Sequence, residues 1–134
     1  MTEQAKQTRL TPSPICGRSA RRELTVAEGD RIAEFKEVAD MMPDDPVVRF
    51  GLAAAYLEAG QAENAVREYE ETIRLKPDYS AAHRGLGRAL ERAGRRDEAL
   101  AAYRRGLEVA ARTGDLQTKK EIEVFVHRLE TPGA

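Results

Sequence analysis

The chain has 134 residues, enough for one domain, and its formal net charge is −1 although charged residues make up 34% of it. This balance argues against a global attraction to nucleic acid or to an anionic membrane. Aromatic residues make up only 5%, and alanine, leucine, glutamate and arginine dominate, which favours an all-helical domain with a large solvated surface.

Several functional classes lack their sequence signals. Cys16 is the only cysteine, so no internal disulfide is expected, and neither histidine has a companion at metal-ligand spacing. The motifs of phosphate-binding loops, serine hydrolases and zinc hydrolases do not occur, so we expect no metal, no cofactor and no enzymatic activity. No apolar run has the length of a secretory signal or of a membrane-spanning helix, and we therefore expect a cytoplasmic protein.

Residues 1–24 show no helical periodicity and are interrupted by Pro12, Pro14 and Gly17. Five basic residues stand against two acidic ones in this stretch. We predict a flexible basic tail.

The first predicted helix covers residues 25–42. Thr25 and Glu28 have the spacing of a capping box at its start, and Pro43 follows its end. An apolar stripe runs along one face of this helix, at Ile32, Phe35, Val38, Ala39 and Met42.

Five further helices are predicted from apolar periodicity, capping residues and terminating glycine or proline. They cover residues 46–59, 62–76, 80–93, 96–112 and 115–129. Asp44 or Asp45 is a candidate cap for the second helix, and Asp115 for the last one. Residues 131–134 are expected to fray.

The chain repeats itself with a period of 34 residues. Gly60 and Gly94 are 34 residues apart, as are Pro43 and Pro77. Aromatic residues recur at this spacing at Phe35, Tyr69 and Tyr103, and aliphatic residues at Ile32, Val66 and Leu100. A 34-residue helix–turn–helix period is the signature of tetratricopeptide repeats.

The chain therefore resembles the tetratricopeptide-repeat family over about residues 30–112. The first repeat, within residues 46–76 and the proline that follows, matches the family pattern at Leu52, Ala53, Tyr56, Gly60, Ala65, Tyr69 and Pro77. The second repeat, residues 80–112, matches it at Leu86, Gly87, Gly94, Ala99 and Tyr103. It has Leu90 where the family has tyrosine, and both repeats lack the early tryptophan of the family.

This resemblance implies an all-α fold, a right-handed superhelical stack of antiparallel helix pairs. Residues 25–42 would be the lone second helix of a preceding repeat, and residues 115–129 a C-terminal capping helix. Each helix pair has an apolar face that it cannot bury alone, so neighbouring pairs must stack.

The resemblance also implies a binding surface, because the first helix of each repeat lines the concave side of such a stack. The predicted partner-binding residues are Val47, Phe50, Ala54, Leu57, Glu58, Ala81, Arg84, Arg88, Glu91 and Arg92. The first half of this set is mainly apolar, whereas the three arginines of the second half share one helical face. Guanidinium groups bind carboxylates and phosphates through paired hydrogen bonds, so an acidic partner would suit them.

Two alternatives stand beside this interpretation. The arginines could form a solvated face or pair within the chain, for example with Glu121. Phe50 and Leu57 lie off the core stripe and are either exposed contact residues or covered by a terminal helix. Some family members clamp a terminal carboxylate with lysines and asparagines, and only Arg84 and Arg88 could replace those residues here.

The sequence thus predicts a non-enzymatic module, an adaptor or scaffold that binds a peptide or helix of a partner protein. The alternative function is a self-assembling scaffold, in which the acidic first repeat of one chain meets the basic second repeat of another. The charged residues that would meet are Glu63, Glu68, Glu70 and Glu71 on one side, and Arg95, Arg96, Arg104 and Arg105 on the other. Nucleic-acid binding is disfavoured, because single-strand binders place aromatic residues among their basic groups.

Overall fold

The computed structural model describes residues 29–131 of the chain. The first helix, α1, is helical over residues 29–41. The next five are α2 (Pro46–Glu58), α3 (Ala62–Leu75), α4 (Ser80–Arg92), α5 (Arg96–Thr113) and α6 (Leu116–Glu130). Each of these five begins and ends within one residue of its predicted bounds. The described residues contain helices and no strand, which confirms the predicted all-α fold class.

Three predictions lie outside the described residues. They concern the basic tail over residues 1–24, the capping box of Thr25 and Glu28, and residues 132–134 of the frayed end.

Aspartate side chains cap two of the helices. Asp45, rather than Asp44, accepts the backbone N–H of Val47 at 2.9 Å and caps α2. Asp115 accepts the backbone N–H of Thr118 at 3.2 Å and caps α6. Because Asp115 also accepts the hydroxyl of Ser80 at 2.6 Å, the cap ties the start of α6 to the start of α4.

Glycines form the tight turns inside the two helix pairs. Gly60 and Gly94 both have φ of +81°. Glycine adopts this left-handed conformation without strain, whereas a Cβ atom would make it unfavourable. The turns therefore recur at the spacing that the sequence period predicts.

The helices form two layers. From α2 onward each helix packs against the next one along the chain, while α2 also contacts α4 and α4 also contacts α6. One layer thus consists of α2, α4 and α6, and α3 and α5 lie behind it. The predicted capping helix, α6, occupies the position of the first helix of a further pair.

Close approach of a small residue and an aromatic ring holds α4 against α5. Tyr103 is 0% exposed, and a Cβ built on Gly87 would overlap its ring. Gly85 and Tyr69 have the same relation between α4 and α3. The buried core continues along the stack through Leu52, Val66, Leu90 and Ile122.

One residue of the predicted core is outside it. Met42, placed on the apolar stripe of the first helix, is 47% exposed, so its predicted burial is wrong. Met42 follows the last helical residue, 41, and lies at an exposed end of α1 next to the exposed Met41. None of the helices over residues 29–131 is long and apolar enough to cross a bilayer.

Candidate functional site

The surface of the layer formed by α2, α4 and α6, here called the α2–α4–α6 face, carries the candidate site. The ten predicted partner-binding residues belong to α2 and α4. The exposed ones are Val47, Glu58, Arg88 and Arg92. The half-buried ones are Phe50, Ala54, Ala81, Arg84 and Glu91.

Leu57 is only 5% exposed, so the expectation that it forms an exposed contact is wrong. Leu57 belongs to the buried core cluster, and its backbone carbonyl oxygen lies 3.4 Å from Nη1 of Arg92 on α4. Phe50 is half-buried in an aromatic cluster, stacked on Tyr79 with ring centroids 5.1 Å apart and edge-on to Tyr69 at 5.7 Å. Both side chains therefore contribute to packing.

A small hollow lies between α2 and α4. Its volume is about 150 Å³, and its walls are formed by Ala54, Leu57, Glu58, Tyr69, Arg88 and Arg92. We call it the α2/α4 hollow. Apolar surface and two guanidinium groups thus meet in one place.

Three members of the predicted set form ion pairs within the chain: Arg84, Glu58 and Glu91, the last of which pairs with Arg128. Arg84 pairs with Glu121 of α6, as the alternative interpretation expected, and Glu58 pairs with Arg31 of α1. The pKa of Glu121 is lowered, first by the hydrogen bond from the Gln117 amide at 2.9 Å and then by Arg84. A ligand that binds Arg84 or Glu58 would therefore have to compete with Glu121 or Arg31 for them.

A second hollow, of about 260 Å³, lies between α4 and α6 and is called the α4/α6 hollow. It is lined by Arg88, Glu91, Arg92, Phe125 and Arg128. Glu91 accepts the Tyr103 hydroxyl at 2.8 Å and the Arg128 Nη2 at 2.8 and 3.0 Å. Burial, followed by the bond to Glu91, raises the pKa of Tyr103, so this hydroxyl stays protonated and donates.

Phe125 and Arg128 belong to this site and were missed by the sequence prediction. The binding set was taken from the first helices of two repeats, whereas these residues lie on α6. Extending the 34-residue register by one further repeat would have placed Phe125 at the position of Glu91, which was in the set.

A third hollow, of about 280 Å³, lies between α3, α4 and α5. It is lined by Glu70, Ile73, His83, Leu86, Leu90, Glu98, Ala101, Ala102 and Arg105. His83 is 2% exposed, and its Nε2–H donates to the Pro77 carbonyl at 3.0 Å. Burial lowers the pKa of His83, and the charges of Arg105 and Arg112 add to this, while the bond to Pro77 opposes it.

The buried histidine predicts acid sensitivity of the fold. Because the folded-state pKa of His83 lies below its unfolded value, acidification protonates the unfolded chain first and stability falls as the pH drops below about 6.5. Urea unfolding at a series of pH values should show a smaller loss for His83→Gln than for the wild type. His127→Gln, which removes the exposed histidine, is the matched control. Parallel pH profiles for wild type and His83→Gln would contradict the assignment.

The charged residues proposed for head-to-tail assembly largely pair within one chain. Glu63 binds Arg95 at 2.9 Å and Glu68 binds Arg49 at 3.0 Å. Arg104 pairs with Glu130 of α6. Self-association therefore stays a prediction without a specific contact in its favour. Within residues 29–131, no group of three metal-ligating side chains is close enough together to hold an ion.

Comparison with known proteins agrees with the repeat pattern. Residues 32–115 match the family model described as tetratricopeptide repeat. The chain is similar to a TPR repeat-containing protein of Pseudomonas aeruginosa, with 40% identity over 87 residues that cover 65% of this chain and 83% of the relative.

Two solved structures show the same arrangement of helices. One is a protein from Bordetella parapertussis, with a TM-score of 0.66, 31% identity, and coverage of 74% of this chain and 86% of that one. The other is a tetratricopeptide repeat domain protein from Salinibacter ruber, with a TM-score of 0.60, 32% identity, and coverage of 64% and 97%.

Proposed function

This chain belongs to the tetratricopeptide-repeat family, whose repeats generally mediate protein–protein interaction, and from this premise we propose that its α2–α4–α6 face binds an acidic segment of a partner protein. Arg88 and Arg92 are the proposed anchors. Binding of this kind would make the protein a cytoplasmic adaptor or scaffold.

The observation that carries the proposal is the position of these two arginines. They are four residues apart on α4, so they share one helical face, and both line the α2/α4 hollow and the α4/α6 hollow. Both are exposed, and neither pairs with a carboxylate within residues 29–131. Both guanidinium groups therefore border a shared surface, and neither is neutralised by a carboxylate within residues 29–131.

The chemistry of the hollows suggests the kind of segment. Guanidinium groups donate two parallel hydrogen bonds to a carboxylate, which favours aspartate or glutamate in the ligand. Ala54, Leu57 and Tyr69 supply apolar surface beside them in the α2/α4 hollow. A segment that alternates acidic and apolar side chains would satisfy both.

The test uses charge reversal with a matched control. Arg88→Glu with Arg92→Glu removes the proposed anchors, while Arg105→Glu with Arg112→Glu makes the same charge change on α5. The probe is a fluorescein-labelled decapeptide that alternates glutamate with leucine and phenylalanine, and a second peptide has lysine in place of glutamate. Binding is measured by fluorescence polarisation at physiological salt.

We expect the wild type to bind the glutamate peptide and prefer it to the lysine peptide. The anchor reversal should weaken this binding by about tenfold or more, since each hydrogen bond to a charged group contributes roughly 1.5–3 kcal/mol. The α5 reversal should change it by less than about threefold, because Arg105 and Arg112 line neither hollow and salt screens exposed charges. Equal losses in the two double variants, or no binding of the glutamate peptide, would refute the proposal.

A further inference from the structure

We propose that the α4/α6 hollow holds a phosphoryl group, carried by a phosphorylated serine or threonine of the partner segment. This inference rests on the proposed function and specifies the chemistry of its ligand.

Positive side chains outnumber negative ones in the lining of the α4/α6 hollow. Three guanidinium groups face one carboxylate, that of Glu91. Glu91 is already bound to Arg128, so within residues 29–131 no carboxylate pairs with Arg88 or Arg92. A single carboxylate would neutralise one of them, whereas a phosphoryl group carries a charge of about −1.5 to −2 at neutral pH.

The number of donors fits the same ligand. A phosphoryl group offers three acceptor oxygens, and each of the three arginines can donate to one of them. Both bonds from Arg128 to Glu91 come from Nη2, and its Nη1 and Nε make no hydrogen bond within residues 29–131, which leaves these donors for a ligand. A lone carboxylate offers two oxygens and a single negative charge, fewer acceptor atoms and less charge than a phosphoryl group.

The ring of Phe125, here called the aromatic platform, holds two of the guanidinium groups in position in the absence of a ligand. The Cζ atoms of Arg88 and Arg128 lie 6.0 and 5.3 Å from the centroid of the Phe125 ring. That ring packs against Tyr103, with centroids 5.4 Å apart, and Tyr103 is completely buried. Cation–π contact with a ring held by the core limits the side-chain entropy that binding must remove.

The residues that line the α4/α6 hollow come from two helices, so the hollow depends on the docking of α6. Arg88 and Arg92 come from α4, whereas Phe125 and Arg128 come from α6. Arg128 lines the α4/α6 hollow but not the α2/α4 hollow. Substitution of Arg128 can therefore distinguish phosphoryl binding from the general binding of an acidic segment.

The experiment compares three decapeptides that differ only at the central residue, which is serine, glutamate or phosphoserine. All three have amidated C-termini, and a fourth peptide carries the central glutamate with a free C-terminus. We expect the phosphoserine peptide to bind at least about tenfold tighter than the serine peptide and several-fold tighter than the amidated glutamate peptide. Its advantage should shrink as the pH falls through the second phosphate pKa of about 6.

Two substitutions in the hollow have opposite expected effects. Arg128→Gln should reduce the preference for phosphoserine over glutamate to about twofold or less, since it removes one charged donor. Glu91→Gln should strengthen phosphoserine binding several-fold, because it removes a repelling charge while the amide oxygen still accepts the Tyr103 hydroxyl. Arg112→Gln is the control for a loss of positive charge elsewhere, and circular dichroism checks the helicity of each variant.

The outcomes separate the two proposals. If the glutamate peptide binds through Arg88 and Arg92 but phosphoserine brings no gain, the phosphoryl assignment is wrong and the proposed function stands. If the free C-terminus brings the gain instead, the hollow takes a terminal carboxylate and the assignment is also wrong. A phosphoserine advantage that survives Arg128→Gln would place the group elsewhere. Absence of binding by every peptide would overturn both proposals.

Discussion

Replacement of Tyr103 by alanine is expected to lower the free energy of unfolding by about 3–5 kcal/mol. Tyr103 is 0% exposed and lies between α4 and α6, with Gly87 on one side and the Phe125 ring at 5.4 Å on the other. Removal of its ring leaves a cavity at the junction of three helices, and the surrounding backbone can close it only in part. Urea unfolding followed by far-ultraviolet circular dichroism measures the effect.

Two controls distinguish loss of the ring from loss of the hydroxyl. Tyr103→Phe keeps the ring and removes the donor to Glu91, which retains Arg128, so a loss of about 1 kcal/mol is expected. Gly87→Ala should cost roughly 1–3 kcal/mol in the wild type because its methyl group overlaps the ring. In the Tyr103→Ala background the same change should stabilise the helix by up to about 1 kcal/mol. An equal cost in both backgrounds would show that ring and glycine are not in contact.

Replacement of Ile122 by alanine is expected to cost about 2–5 kcal/mol, the second-largest effect. Ile122 is the fully buried residue of α6, and its Cδ1 would lie 2.9 Å from a Cβ built on Gly106 of α5. Because this side chain anchors α6 to α5, its truncation should loosen the helix as well as lower global stability. Hydrogen exchange should therefore accelerate for the amides of α6 more than for those of α2.

Val124 provides the matched control on the same helix. It is 63% exposed, and Val124→Ala should change the free energy of unfolding by no more than about 0.5 kcal/mol. Since Phe125 and Arg128 depend on the docking of α6, Ile122→Ala should also reduce the preference for phosphoserine, while Val124→Ala should not. Similar stability losses for the two variants would contradict the packing of α6 described above.

Much of the fold could be predicted because its signals are local. The turn conformation of Gly60 and Gly94 needs only the absence of a Cβ, and the cap formed by Asp115 needs only a backbone N–H three residues later. Such interactions form within a few residues of the chain, so a sequence pattern carries them directly. The predicted bounds of α2 to α6 are accurate for this reason.

The candidate site could be predicted only in part. Arg88 and Arg92 are exposed as expected, but Leu57 is covered and Arg84 is bound to Glu121. Glu91, predicted as a contact residue, is held by groups from α5 and α6. Each of these differences involves a neighbouring helix that the pattern within α2 or α4 does not describe.

The sequence by itself determined the helices, their turns, the 34-residue repeat and the family of this protein. The tertiary structure alone decided which charged groups remain uncompensated and where the hollows lie. Helical periodicity predicts on which side of its own helix a side chain lies. The residues that it contacts there belong to other helices, which the periodicity does not describe. The pairs Arg84–Glu121 and Glu91–Arg128 each join residues 37 positions apart, and only the packing of α6 against α4 brings them into contact.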